Sequence, residues 1–526
     1  MRKPMILIPS LCLVLLTGAF ATSIITDPRV ISETCEIVAG VVSSASAVHY
    51  SGSSYEENIR HWAPSSTQRA TCSFEPGTAA DVGIALRILG KNRVPFAVKS
   101  GGHSLNPGFS STTGVQIAMS RFSEIVYDPE SQTVSVGAGT IWDDVYAALE
   151  PHGVTVVGGR VSGVGVAGFT LGGGYSWLTN QYGLALDNVK SFELVLPNGV
   201  VIDVTESSHP DLFFGLRGGF DNFGIITKFV LRTYPQEQIW GGIIIYPETA
   251  VEQVTRATAS FAASNDDPKA QMIMTTNFIA GNHFVVTTLF YDNPDLAPGV
   301  FDGFLDIPAL LKDVKTRSFQ SLILRASAWP EAEPSPLEPS VEPLPQGLLV
   351  EEVPLSQLPP PTPVNATLEM RGIFHTLTVT EYSVELIEAA INESIHWGQT
   401  LMPYSGVFIS YDFTPVMLTA PKRAFTPSAW PPTYEGTVMP IVLYFAWISE
   451  FSDDMMHNAV RQSTSTLLDK AVSLGQDVKD APLYGNCALF DTPLERMYGN
   501  NLERLRKIKH QVDPDGVMNL AGGFKF

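Results

Sequence analysis

Between Gly158 and Gly174 the chain reads Gly158-Gly-Arg-Val-Ser-Gly-Val-Gly-Val-Ala-Gly-Phe-Thr-Leu-Gly-Gly-Gly174, a run so poor in side chains that its backbone must pack directly against something. A second segment of this kind, Val98-Lys-Ser-Gly-Gly-His-Ser104, sets His103 directly after a glycine pair. Glycine lets a main chain approach a ligand closely and turn successive N–H groups toward phosphate oxygens. One such run constrains little. Two, with a histidine fixed inside the first, point to a large phosphate-bearing cofactor clamped from two sides, with that histidine placed to bond it.

The 526 residues suffice for two domains and a large core, and 44% hydrophobic with 16% charged residues is an ordinary globular balance. A formal charge of −20 argues against nucleic acid or an anionic membrane as partner. No protein partner is indicated. Arg2 and Lys3, the apolar stretch Met5 to Leu16 and Ala19-Phe-Ala21 read as a secretory leader over 1–21, with the mature chain starting near Thr22. No other run is long and apolar enough to span a bilayer. Loss of the leader removes Cys12, and in an oxidising compartment Cys35 and Cys72 are the natural disulfide pair. Cys487 is then a free thiol, expected to be buried and unreactive. Sequons at Asn365 and Asn392 fit a secreted glycoprotein.

From Cys72 to about Pro235, short apolar runs such as Pro95–Val98 and Val134–Val136 alternate with turns, and Pro197-Asn-Gly199 signals a hairpin. Helical spacing appears at Ala79–Leu89 and Trp142–Leu149. This is an α+β pattern, and it defines a first domain over 22–235. A second region, 236–480, opens on Ile239-Trp-Gly-Gly-Ile-Ile-Ile-Tyr246 and is expected to build a sheet that walls a substrate site. A last segment, 481–526, carries Leu502, Leu505, Ile508 and Val512 at helical spacing before Asp513-Pro514. Within the second region, 329–363 holds 11 of the 38 prolines and neither lysine nor arginine, so it reads as an extended surface insertion or a disordered stretch.

Gly163-Val-Gly-Val-Ala-Gly168 matches the dinucleotide fingerprint, with Asp187 beyond it. That fingerprint must open a helix directly after a strand. Here it runs into Gly172-Gly-Gly174, where a helix is costly, so the Rossmann reading is set aside. No nucleophile elbow, HExxH pair or close His/Cys cluster supports a hydrolase or metal site.

The same segments, Ser100-Gly-Gly-His-Ser104 and Gly165–Gly174, occur with Tyr182-Gly-Leu-Ala-Leu-Asp-Asn-Val189, Asp211-Leu-Phe-Phe-Gly-Leu-Arg-Gly-Gly219, Asn222-Phe-Gly-Ile-Ile-Thr227, Tyr484-Gly-Asn486 and Tyr498–Leu505. In this combination the chain resembles the vanillyl-alcohol-oxidase superfamily, in its fungal berberine-bridge-enzyme-like branch, over about 30–325 and 364–526. The resemblance implies an α+β fold: a two-subdomain FAD-binding domain of the PCMH type, a substrate domain on an antiparallel sheet, and a C-terminal segment returning to the flavin domain. It implies FAD held by Ser100, Gly101, Gly102, His103 and Ser104, by Val164, Gly165, Gly168, Gly172, Gly173, Gly174 and Tyr175, and by Asn222, Gly224, Ile226 and Asn486. It further implies a covalent bond from His103 to the flavin 8α-methyl. Relatives with a second, cysteinyl link carry the cysteine where Val161 stands, so attachment is expected through His103 alone.

The chemistry implied is hydride transfer from a small organic substrate, a specialised metabolite or a sugar, to the flavin, with O2 reoxidising it to give H2O2. Val164 matches a position lining the approach of oxygen, where a small side chain favours oxidase behaviour. Tyr484 is the expected base, and since free tyrosine titrates near pH 10 it needs nearby positive charge or hydrogen-bond donors. Packing against the flavin is an equal reading for it. The family commonly has a second tyrosine where Cys487 stands, and Tyr175 and Trp177 are placed to line the cofactor or the core. A dehydrogenase with a non-oxygen acceptor, and a flavin-binding secreted protein with little turnover, remain open alternatives.

Overall fold

The computed structural model describes residues 26–327, 370–416, 427–432 and 439–526. The leader, the stretch 329–363 and the sequon at Asn365 lie outside the described residues. Three principal sheets organise the fold.

The first sheet takes the order Ala47–His49, Cys72–Glu75, Val115–Ala118, Phe96–Lys99, with the last three parallel. Parallel neighbours need a crossover, and helix Ala79–Asn92 supplies it between Cys72–Glu75 and Phe96–Lys99. Thr78 starts this helix by accepting from the Asp81 N–H at 3.1 Å. Val82, Ala85, Leu86 and Leu89 bury one stripe, and Arg93 in the left-handed region (φ 54°) ends the helix. The expected pair Cys35–Cys72 is a disulfide that fastens helix Pro28–Val41 to the sheet.

The second sheet is antiparallel, in the order Ile125–Asp128, Thr133–Gly137, Ile225–Arg232, Val189–Val195, Val201–Thr205. Val189–Val195 and Val201–Thr205 form the hairpin signalled by Pro197-Asn-Gly199, pairing from Val195 and Val201 inward. Helix Trp142–Leu149 forms where its spacing places it and buries Trp142, Val145 and Leu149.

The third sheet is the wall. Its seven strands are all antiparallel: Leu311–Arg317, Ile239–Tyr246, Asn282–Tyr291, Ala270–Ile279, Gly406–Phe413, Met439–Trp447 and Arg371–Val379 in spatial order. Alternation along each strand sorts side chains onto two faces. One face packs beneath helices Val384–Leu401 and Asp453–Ser473. There the Tyr411 hydroxyl meets Ser463 Oγ at 2.7 Å, and Thr276 Oγ1 lies 3.2 Å from Ser394 Oγ. On the other face register aligns Asn277 with Ser410, Ser410 with Tyr444, and Tyr444 with Phe374. Phe408 and Asp412 flank Ser410 on that same face, which looks toward the glycine segments.

The C-terminal segment then crosses back. Helix Leu502–Val512 buries Leu502, Leu505 and Ile508, and the following residues reach the first sheet. Ala521 bridges to Phe96, and the Phe524 ring meets Phe109 edge-on at 4.8 Å.

The disulfide closes a loop with a sequence separation of 37, for which the chain-entropy model gives about 3–4 kcal/mol. Cys35→Ala is expected to lower the thermal unfolding midpoint by several degrees, read by circular dichroism. Under reducing conditions the wild-type protein should converge on the variant.

Candidate functional site

The two glycine segments meet backbone to backbone. A Cβ built on Gly101 falls 2.5 Å from the Gly165 nitrogen, and one built on Gly165 falls 2.7 Å from Ser100 Oγ. No side chain fits at either position. Around this contact Ser100 Oγ, Thr170 Oγ1 and Trp142 Nε1 are buried with no hydrogen-bond partner. An orphaned polar group costs about 1–3 kcal/mol unless a ligand satisfies it. Gly163 and Gly168 face open space. A crevice lined by bare backbone and orphaned donors suits FAD, whose phosphate and carbonyl oxygens accept from such groups, so the residues present fit the cofactor.

The fingerprint run corrects one expectation. Val166–Leu171 does form a helix, six residues long and stopped at Gly172. The strand before it, Val154–Thr155, ends well short of Gly163 and pairs only with the antiparallel Tyr234–Pro235. The Rossmann arrangement is therefore absent here for want of the preceding parallel strand, not for want of a helix.

His103 stands on the first segment with its ring stacked on Trp62 at 4.7 Å and 12°. Burial lowers its pKa to about 4, so the imidazole is neutral near pH 7 and keeps a free nitrogen lone pair. Ser104 follows, half-buried.

Tyr484 lies on the other side, in an aromatic group with Tyr175 (4.9 Å) and Trp430 (5.2 Å). Its phenol oxygen accepts from the Gly174 N–H at 3.2 Å and from Asn486 Nδ2 at 2.8 Å. Asn486 Nδ2 also donates to the Phe169 carbonyl at 2.9 Å. Gly172 leaves room for Asn486, and Gly173 for Trp430 and Tyr484. Burial pushes the Tyr484 pKa up to about 12, outweighing Asn486 and the nearby Arg160 charge. With both acceptor positions filled and the proton retained, Tyr484 is a donor at neutral pH. The donors and positive charge expected of a base surround Tyr484, and burial opposes them.

Asp412 is the group whose acidity suits proton abstraction. Burial raises its pKa to about 6, against the opposing Ser410 hydroxyl (3.0 Å) and the Arg160 charge. Arg160 projects from the second glycine segment, donates to Thr414 Oγ1 at 3.1 Å, and lies within electrostatic reach of Asp412, Tyr484 and Cys487. It makes no ion pair among the described residues. Cys487 is partly buried, and desolvation pushes its thiol up to about 12, as expected of an unreactive residue.

Other expected cofactor residues are committed elsewhere. The Asn222 amide is fully buried, donating to the carbonyls of Gly219 (2.9 Å) and Phe524 (2.8 Å) and accepting from the Phe526 N–H (3.3 Å). It anchors the C-terminal segment through both ends of its amide. Gly224 and Ile226 belong to the packing of Ile225–Arg232 on Val189–Val195, where Ile226 pairs with Leu194. Trp177 is core, against Phe290 at 5.8 Å. Val164 is half-buried, its carbonyl accepting from the Trp142 N–H. Sequence reasoning missed Trp62, Arg160, Asp412 and Trp430. Two signals were available: an arginine inside a glycine run, and a lone carboxylate in the apolar run Gly406–Phe413.

The chain matches the FAD binding domain family over residues 70–205 and the berberine and berberine-like family over 484–523. An uncharacterized FAD-linked oxidoreductase of Arthroderma benhamiae is 40% identical over 272 residues, 51% of this chain and about half (54%) of that protein. An FAD-dependent monooxygenase of Aspergillus calidoustus is 29% identical over 485 residues, 88% of this chain and 84% of that one. The carbohydrate oxidase of Microdochium nivale superimposes with a TM-score of 0.71 at 18% identity, covering 94% of this chain and 99% of that one, a likeness of fold. With a flavin-domain match on the glycine segments, a berberine-type match on the returning tail and a shared fold, the chain is similar to the berberine-bridge-enzyme-like oxidases and is an FAD-linked oxidoreductase.

Proposed function

We propose that this chain is a secreted oxidase that carries FAD covalently on His103 alone and oxidises a hydroxyl-bearing small molecule, a sugar or a specialised metabolite, with O2 as acceptor and H2O2 as product. The observation that carries this reading is the convergence of Arg160, Asp412 and Tyr484 beside the Gly101–Gly165 crevice. The disulfide supports an oxidising compartment. Val161 offers no thiol for a second link.

Bound FAD supplies the two-electron acceptor. The remaining steps belong to the chain. Asp412, ionised above about pH 6, takes the proton of the substrate hydroxyl. Arg160, a cation bonded to Thr414 and with donors to spare, holds the oxygen as negative charge develops on it. Tyr484 directs its own hydrogen into the cleft and orients the substrate. Phe374, Phe408 and Tyr444 form an aromatic wall on the sheet, with ring centroids 5.1 and 5.7 Å apart, suited to the face of a sugar or a planar ring.

Acid precipitation tests the cofactor reading. Yellow colour should stay with the wild-type pellet and pass to the supernatant in His103→Ala. A colourless wild-type protein would overturn the oxidase reading. Oxygen consumption with stoichiometric peroxide, over a panel of sugars and hydroxylated aromatics, separates the oxidase from a dehydrogenase. Edman sequencing of the secreted protein should start near Thr22.

The acid–base roles are separable by pH. With any substrate the panel yields, turnover should rise as pH passes through about 6. Asp412→Asn should lose this limb and about 10²–10⁴-fold in rate, whereas Tyr484→Phe should keep the limb while losing rate. A limb that vanishes in the tyrosine variant instead would reassign the base to Tyr484. Stability gives an independent reading. A carboxyl whose folded pKa is raised destabilises the fold as pH rises from about 4 through about 6. Asp412→Asn should therefore melt above the wild type at pH 7 and with it at pH 4.

A further inference from the structure

Trp62 is half-exposed (51%), whereas Trp142, Trp177, Trp430 and Trp447 are almost wholly buried. It is nevertheless held from three sides. Its N–H donates to the Gly102 carbonyl at 3.0 Å, and its indole stacks on the His103 ring. It also faces Phe374 (6.3 Å, 4°) and Tyr444 (5.6 Å) across the cleft. Ser65 ties the same segment to the sheet through both the N–H and the carbonyl of Gly372, each at 3.0 Å.

This placement answers a problem of the flavin loop. The two residues before His103 are glycines and carry no side chain that could brace its imidazole. Among the described residues the stack on Trp62 is the ring contact that does. Bond formation between two groups needs a near-attack geometry, and a misplacement of about 1 Å costs on the order of 10²-fold in rate.

We propose that Trp62 is the positioning residue for flavin attachment: by stacking, it holds the His103 imidazole in the orientation from which its nitrogen bonds to the flavin 8α carbon. This rests on the reading that His103 carries the flavin covalently. In that step an N–C bond forms while one methyl C–H and the imidazole N–H break. Both hydrogens and the electron pair remain on the flavin ring system, and O2 removes them as H2O2.

The test uses full-length apoprotein from a riboflavin-starved host, mixed with FAD in air, with acid-precipitable flavin followed over time. Trp62→Leu keeps an apolar side chain but cannot stack, and should slow covalent incorporation about 10- to 100-fold. Reversible FAD binding, read by fluorescence quenching, should stay near that of His103→Ala. Trp62→Phe restores a stacking ring and should recover most of the rate, which a merely space-filling role would not require. Equal rates in the leucine variant and the wild type would overturn the proposal, as would a phenylalanine variant no faster than leucine. If Trp62→Leu fails to fold, Trp62→Phe and Trp62→His replace it: rates falling from wild type through Trp62→Phe to Trp62→His are expected, and any other order overturns the proposal. Wild-type protein that releases all its flavin to acid would instead refute the covalent reading itself.

Discussion

The backbone contact between Gly101 and Gly165 is the constraint on which the rest of the site depends. Two loop segments of the flavin-binding part approach until neither tolerates a Cβ. The approach is locked locally: Ile141 bridges to Gly165, and Trp142 and Val166 exchange main-chain bonds with Val164 and Thr140. Everything chemical is then a short extension of this joint. His103 leaves it on one side and Arg160 on the other, so the spacing of imidazole and guanidinium starts from main chain, which is stiffer than any pair of long side chains.

The second constraint is that the polypeptide returns. Tyr484 and Asn486 belong to a segment whose far end is pinned to the first sheet, by Ala521 on Phe96, by Phe524 on Phe109, and by Asn222 gripping the carbonyl of Phe524. Asn106 adds a bond to the Ala488 carbonyl at 2.8 Å. The phenol of Tyr484 is thus held against Gly174 from both chain directions. Asn222, buried and bonded at both ends of its amide, holds that tail in place.

What the sequence revealed and what it hid divide along a physical line. Helices Ala79–Asn92, Trp142–Leu149 and Leu502–Val512 were legible because their apolar spacing is a local property, as were the hairpin at Pro197-Asn-Gly199 and the Cys35–Cys72 pair. The glycine runs were legible because few structures need so little side chain. Asp412 was not, because its significance lies in strand register: only when Ser410 stands opposite Tyr444 does Asp412 face the cleft and not the helices. Trp62 was hidden for a similar reason, since nothing in its neighbours announces a stack on a histidine far along the chain. The grip of Asn222 on the C-terminal segment was hidden because a motif reports which residues recur together and not which atoms they satisfy.

Asp412 and Tyr484 show how one dry cleft divides labour between two acids. Desolvation pushes both upward, but from different starting points: the carboxyl arrives near 6 and the phenol near 12. The same physics brings one group close to neutrality and carries the other away from it. Arg160 lowers both and rescues neither fully, because it bonds Thr414 and stops short of an ion pair with Asp412. A closed Arg160–Asp412 bridge would have driven the carboxyl down toward its ordinary range and used up the cation. Kept apart, the carboxyl retains its raised pKa and the guanidinium its free donors, which is the arrangement the proposed proton transfer requires.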